Sequence, residues 1–212
     1  WVQGWPPFPY TGIHIKIPFY GYCTQYAGVT EQLIEWLRVR YGGTAAIAPR
    51  FWLYTTFQPS IGYFLLTNID GTREDQITSI LGLTPEEAQI RDIRATVEGG
   101  WWFEPGQDYV CLLSNTTAQR LGVQRGDKVS LMGIQLTVLS IFSTQRFGTL
   151  YDLDQEPIAP VHIKASNAAN SWEPAVHDTP SKTLIIPYDL ALSLAQRPHV
   201  FNGFWGYLAG VS

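Results

Sequence analysis

The sequence predicts an α+β fold, with mixed α/β segments toward both ends and a β-rich middle. Three observations carry this expectation. A strand, helix, strand succession fills the first quarter, short apolar runs separated by Gly, Pro, Asn and Asp fill the middle, and a strand followed by a helix recurs near the end. The chain has 212 residues, 45% hydrophobic and 15% charged, a balance that supports a buried core and excludes a disordered chain.

Gly12 to Pro18 alternates apolar and polar residues, which sets Ile13, Ile15 and Ile17 on one face of a half-buried strand. From Thr30 to Tyr41 the period lengthens to that of a helix. Leu33, Leu37 and Tyr41 form a stripe with Ile34 beside it, Thr30 is placed to cap, Glu31 suits the positive helix end, and Gly42 is expected to end the helix in the left-handed conformation. Ala45 to Tyr54 returns to extended, apolar-rich sequence. Strands are predicted at Gly62 to Thr67, Ile77 to Leu81, Tyr109 to Leu113, Val129 to Met132 and Leu136 to Ile141. Asp70-Gly71 reads as a turn, and Arg73-Glu74-Asp75 as its solvated flank.

Thr84-Pro85-Glu86-Glu87 predicts a short helix, with Thr84 as cap, Pro85 at the first helical position and Glu87 closing a capping box. Ser114 or Asn115 is placed to cap a second short helix, Gly122 to end it in the left-handed region, and Val123 to close that end by apolar contact. Gly126-Asp127 then turns the chain into a strand, and Met132-Gly133 sits in the turn of a hairpin whose return strand buries Leu136, Val138 and Ile141 or their neighbours. Near the end, Thr183 to Ile186 is an apolar strand and Pro187 leads into a helix from Tyr188 to Gln196, where Leu190, Ala191 and Leu194 share a face. Pro157, Pro160, Pro174, Pro180 and the Asn-rich stretch from Ser166 to Ser171 mark a boundary.

The net charge of -4 offers no basic field to neutralise phosphates, which argues against nucleic acid as a partner. Apolar runs such as Tyr63 to Leu66 and Leu184 to Ile186 fall far short of the roughly 20 residues that cross a bilayer. The chain begins at Trp1 with no Met and no charged-then-apolar leader, and so reads as a fragment or a processed product. Trp1, Trp5, Phe8 and Tyr10 crowd one end, and Phe201, Phe204, Trp205 and Tyr207 the other. Such ends suit a domain hung at a membrane interface, where an apolar ring and its polar N–H or O–H are each accommodated; packing on the domain's own core is the alternative.

No chemistry is expected. His14, His162, His177 and His199 are far apart and none stands at a metal-ligand spacing, and Asp152, Asp154 and Glu156 read as a solvated acidic turn rather than a calcium loop. There is no Gly-x-Ser-x-Gly elbow and no phosphate-binding Gly-rich loop; a triad of Ser114, His177 and Asp178 would require convergence that sequence does not show. No catalytic residue, cofactor or metal is therefore assigned. Cys23 and Cys111 permit one disulfide, an inert buried pair or two unrelated side chains. In Trp101-Trp102-Phe103, adjacent side chains of a strand point to opposite faces, so at least one ring is expected to be exposed. A partner or hydrophobic-substrate contact competes with burial between lobes, and burial is favoured.

The order of segments from residue 80 to 192 resembles the MacB-like periplasmic core domain of FtsX-type ABC-transporter permeases. Residues 109 to 141, with a strand, a short helix ending in Leu121-Gly122, the Gly126-Asp127 turn and the hairpin turned at Gly133, carry most of the likeness. Ile80 to Glu86 resembles the family's Gly-Val-Asp-Pro-Glu helix start, Val97 to Phe103 its Gly-containing aromatic run, and Leu184 to Ala191 its late Ile-Pro-Leu strand before a helix. The Leu-Gly-x-x-x-Gly-Asp-x-Val pattern also occurs in double-psi β-barrels, and residues 1 to 75 agree with the family only in their strand, helix, strand plan.

The resemblance implies a membrane-proximal mixed α/β lobe, residues 1–68 with 166–212, holding an inserted β-rich lobe, residues 69–165. It implies a location on the periplasmic or extracellular face of the bacterial inner membrane. The implied partners are transmembrane helices of its own full-length chain, an ATPase subunit, a second permease and a periplasmic adaptor. Its work would be mechanical, transmitting ATP-driven motion to substrate export or to a partner, with ATP hydrolysis in a separate cytoplasmic subunit or domain. Trp1, Trp5, Trp101, Trp102, Phe204 and Trp205 are the candidate membrane or partner contacts, and Gly122, Gly126, Asp127 and Gly133 the structural motif. The competing expectations are a secreted or periplasmic binding protein for a carbohydrate or hydrophobic ligand, and a barrel domain of a larger enzyme.

Overall fold

The computed structural model describes residues 3–4, 11–17, 21–26, 31–54, 63–151, 157–162 and 176–195. Strands β1 (Gln3–Gly4), β2 (Thr11–Ile17) and β3 (Gly21–Tyr26) form a three-stranded antiparallel sheet, in which His14 stands opposite Thr24. Helix α1 (Glu31–Tyr41) follows. Next come β4 (Phe51–Tyr54), β5 (Phe64–Asn68), β6 (Glu74–Ile77) and β7 (Ser79–Leu83), then α2 (Glu87–Ile90) and two short 3-10 turns. Strand β8 (Val110–Ser114) leads into α3 (Asn115–Leu121), β9 (Lys128–Leu131), β10 (Ile134–Phe142) and α4 (Thr144–Phe147). A two-stranded ribbon of β11 (Val161–His162) and β12 (Val176–His177) precedes β13 (Thr183–Pro187) and α5 (Tyr188–Ala195).

The body is a mixed eight-stranded sheet in the order β4-β7-β13-β8-β10-β9-β5-β6. Strand β13 runs parallel to β7, and β8 runs parallel to β10, while the other pairings are antiparallel. Thr78 alone separates β6 from β7, although these strands stand eighth and second in the sheet. A flat sheet does not allow that, so the sheet coils until its β6 edge returns to the start of β7 and β13; Thr78 N donates to Lys182 O at 3.0 Å across this seam. Strands from both of the segments that the sequence divides at 68/69 and 165/166 share this one sheet.

Alternation along the strands divides two cores. Ile80, Cys111, Leu113, Leu184 and Ile186 point to one face with Phe64, Leu66, Ile77, Val129, Leu131, Leu136 and Val138, where α3 and α5 add Leu121, Leu190, Ala191 and Leu194. Leu81, Leu112 and Ile185, the intervening residues, point to the other face with Trp52, Ile93, Trp102, Phe103, Phe142 and Phe147. A sheet covered on both faces explains why its central strands read as continuous apolar runs. Gly82 leaves no room in the sheet for a side chain: a Cβ there would stand 2.6 Å from Ala191 Cβ and 3.2 Å from Phe51 Cβ.

The predicted turn chemistry is present around α3. Ser114 Oγ accepts from Thr117 N at 3.0 Å, Gly122 adopts φ 67°, and Val123 N returns to Ala118 O at 3.1 Å. Met132 and Gly133 take φ 49° and 89°, the pair of positive values that a two-residue type I′ hairpin demands.

Three expectations are corrected. Helix α1 is rolled so that Ile34 is buried while Leu33, Tyr41 and Trp36 lie at the surface, the Trp36 ring meeting Tyr41 edge-on at 6.0 Å. Gly42 ends α1 without the left-handed conformation; its missing Cβ makes room for Arg38 O, which accepts from Gly42 N at 2.8 Å. Thr84 and Glu87 form no capping box either. The N-cap is Glu86, without a side-chain bond, because Glu87 is buried and committed to arginine.

Candidate functional site

Among the described residues, the charged side chains drawn into the fold lie at two places. In the first, Glu87 receives Arg50 in a two-pronged bond, Nη2 to Oε1 at 2.6 Å and Nε to Oε2 at 3.0 Å, with Arg91 Nε 3.3 Å from Oε1. A bidentate bond with charge on both partners is stronger than the single bond to a backbone N–H that a capping box would offer, which is why this carboxylate leaves the helix end. The arrangement pins the chain entering β4 to the helix that follows β7.

The second cluster lies on the seam of the sheet. The pattern Glu74-Asp75-Gln76-Ile77 alternates exposed and buried residues, so Asp75 turns inward with Ile77. The expectation of a solvated Asp75 is therefore corrected: it is 4% exposed. Asp75 Oδ1 accepts from Lys182 Nζ at 2.8 Å, Arg120 Nη1 at 2.9 Å and Gln76 N at 2.9 Å. Burial alone would raise the Asp75 carboxyl, but the bonds from Lys182 and Arg120 outweigh it and hold the group below the ordinary carboxylate value. Next to it, Thr117 Oγ1 donates to Ser181 O at 3.2 Å, so α3, β6 and the segment entering β13 meet in one polar knot. Sequence reasoning missed Arg120 and Lys182 entirely; the one local signal was the period-two placement of Asp75 with Ile77.

One ring of the aromatic run is exposed, as expected, although residues 101–103 form no strand and adjacent Trp102 and Phe103 enter the same core. Trp101 is 46% exposed, whereas Trp102 and Phe103 are buried with their rings 5.0 Å apart. Trp102 Nε1 donates to Thr84 O at 3.3 Å, and the Arg125 guanidinium lies 3.7 Å over the Trp101 ring. Gly126 N donates to Val138 O at 2.8 Å, and Asp127 Oδ2 accepts from Gln124 N at 2.8 Å, so the Gly-Asp turn is a structural device. Trp1, Trp5, Phe204 and Trp205 lie outside the described residues, as do Asp152, Asp154, Glu156 and His199.

Ser114, His177 and Asp178 do not assemble into a triad. The Ser114 hydroxyl is held by Thr117 and Ser181, His177 Nδ1 faces Ala159 O at 2.7 Å, and Asp178 Oδ2 accepts from Thr78 Oγ1 at 2.7 Å. Cys111 is a free thiol, and complete burial pushes its pKa far up, which keeps it protonated and inert. Among the described residues no group of three His, Cys, Asp or Glu side chains could hold a metal ion, and no helix is long and apolar enough to cross a membrane. The two clusters tie together segments that are distant in sequence.

Residues 12–185 match the MacB-like periplasmic core domain. No curated protein matches the chain. Among solved structures, the periplasmic region of MacB from Actinobacillus actinomycetemcomitans is similar at 12% identity with a TM-score of 0.39, over 69% of this chain and 49% of that one. The extracellular domain of the noncanonic ABC-type transporter YknZ from Gram-positive bacteria is similar at 10% identity with a TM-score of 0.40, over 82% of this chain and 67% of that one. The chain thus aligns with about half the length of the MacB periplasmic region.

Proposed function

This chain belongs to the MacB-like periplasmic core domain family, and from that premise we propose that it is the extracytoplasmic domain of a MacB/FtsX-type ABC-transporter permease, transmitting ATP-driven motion to substrate export or to a partner protein. In this reading the domain hydrolyses nothing, and ATP is consumed by a separate cytoplasmic subunit or domain. Its partners are the transmembrane helices of its own full-length chain, that ATPase, a second permease and a periplasmic adaptor. Residues 1–68 with 166–212 form the membrane-proximal part and 69–165 the part beyond it, the two sharing the eight-stranded sheet. Of the candidate contacts that are described, Trp101 is exposed and Trp102 is buried.

The observation that carries the reading is the position of β7. Strand β4 of the N-terminal segment and β13 of the C-terminal one flank β7 on its two sides, and Gly82 brings Phe51 and Ala191 together over it. Motion arriving through either segment meets one closely packed strand. Packed elements of this kind shift between discrete arrangements instead of deforming smoothly, as force transmission requires.

The test uses the full-length gene product in its native cell. Asp70→Cys, on an exposed turn, is labelled in intact cells by a maleimide that does not cross the inner membrane, and the product stays with the membrane after carbonate washing. Labelling only after the inner membrane is permeabilised, or release of the product by carbonate, overturns the proposal.

A further inference from the structure

The two oxygens of the Asp75 carboxylate are in different circumstances. Oδ1 accepts three bonds, from Lys182 Nζ, Arg120 Nη1 and Gln76 N, whereas Oδ2 is buried and has no partner. A charged oxygen withdrawn from water without a donor is costly.

The donor that can meet it stands three residues before Arg120 on the same face of α3. This is Thr117, which is fully buried. Its hydroxyl and that of Ser114 each lie 3.2 Å from Ser181 O, and Ser114 Oγ lies 3.0 Å from Thr117 Oγ1. Each hydroxyl carries a single hydrogen, so two hydrogens face one carbonyl that is satisfied by either. When Ser114 serves Ser181 O, the Thr117 hydrogen is released for another acceptor. Against the burial that raises it, the Asp75 carboxyl is held low by bonds from Lys182, then Arg120, then Thr117.

We propose that Ser114, Thr117 and Asp75 form one relay, in which the Ser114 hydroxyl donates to Ser181 O and the Thr117 hydroxyl donates to Asp75 Oδ2. The relay joins the end of β8, a central strand, to β6 at the sheet edge, and the segment entering β13 takes part through Ser181 and Lys182. Ser114 thereby acts on Asp75 through Thr117. Without the Ser114 hydroxyl, Thr117 is drawn to Ser181 O and is lost to the carboxylate. Thr117 is thus a positioning residue for Asp75 as well as the residue whose N–H is capped at the start of α3.

The experiment follows the Asp75 carboxyl carbon by 13C NMR during acid titration of the 212-residue chain, with Asp75→Asn to assign the signal. Thr117→Val keeps the shape and deletes the hydroxyl, and its midpoint is expected to move up toward the ordinary 3.8. Thr117→Ser, which keeps the hydroxyl, is expected to titrate as wild type. Ser114→Ala is expected to move the midpoint up as well, and to add nothing in the Thr117→Val background. Should Ser114→Ala fail to fold, Ser114→Gly carries the same comparison, because glycine at an N-cap weakens the helix less than alanine does. The proposal is overturned by a Thr117→Val or Ser114→Ala midpoint equal to wild type. It is equally overturned by a Thr117→Ser midpoint as high as that of Thr117→Val, or by additive shifts in the double variant.

Discussion

Asp75 and Lys182 meet at 2.8 Å although 107 positions separate them in sequence, and they meet at the one place where the coiled sheet returns on itself. Arg120 joins the pair from the C-terminal end of α3. Removing one cation leaves the buried carboxylate with the other. Lys182→Ala is therefore expected to lower stability by about 1–3 kcal/mol, short of the full cost of stranding a buried charge, as read from urea unfolding.

The same carboxyl fixes a pH dependence. Its pKa is lower in the folded chain than its ordinary value of 3.8, so the unfolded chain binds the proton first. The stability it contributes is fully present above 3.8 and is lost as pH falls through the lowered value. The difference in urea midpoint between wild type and Asp75→Asn is expected to be large near about pH 7 and to shrink as pH falls below 3.8 through the lowered value. A difference that stays constant over that range contradicts the assignment.

Gly82 has no room for a methyl group, because Ala191 on α5 and Phe51 on β4 are both in the way. Gly82→Ala is expected to destabilise by about 1–3 kcal/mol through overpacking. Ala191→Gly in the same chain relieves part of that loss, and a double-mutant cycle measures the coupling. Independent, additive effects would place the clash elsewhere.

Adjacent tryptophans are expected to behave oppositely. Trp102→Ala removes a buried ring and its bond to Thr84 O, at a cost of about 3–5 kcal/mol. Trp101→Ala loses the Arg125 stacking of an exposed ring, about 0.5–1 kcal/mol. Thermal unfolding of the two variants separates them directly.

Cys111 is expected to be silent in the folded chain. In a Cys23→Ser background, a disulfide reagent reacts with Cys111 about a thousandfold more slowly than in urea, because modification waits for opening of the core. Fast labelling under native conditions would mean that β8 is not held as described.

The local part of this fold was legible and the long-range part was not. Ser114, Gly122 and Met132-Gly133 act within a few residues of themselves, and each takes the role that its chemistry predicts. Asp75 and Glu87 were misread because their partners come from far along the chain: Lys182 and Arg120 for one, Arg50 for the other. The roll of α1 about Ile34 depends on what packs against it, which periodicity does not specify. Sheet order escaped for the same reason, since β6 and β7 are neighbours in sequence and lie far apart along the ladder. The family was legible because its signature resides in turns and caps between residues 109 and 141, the local features that sequence displays best.

The place of β13 imposes a timetable on the nascent chain. Its hydrogen-bonding partners, β7 and β8, are synthesised long before it, and both wait for Thr183–Pro187 to arrive between them. Until then neither apolar cluster is sealed, and the ribosome delivers a polypeptide that cannot complete its interior one piece at a time. A chain cut before residue 183 lacks the strand that joins β7 to β8, and neither apolar cluster has its central wall.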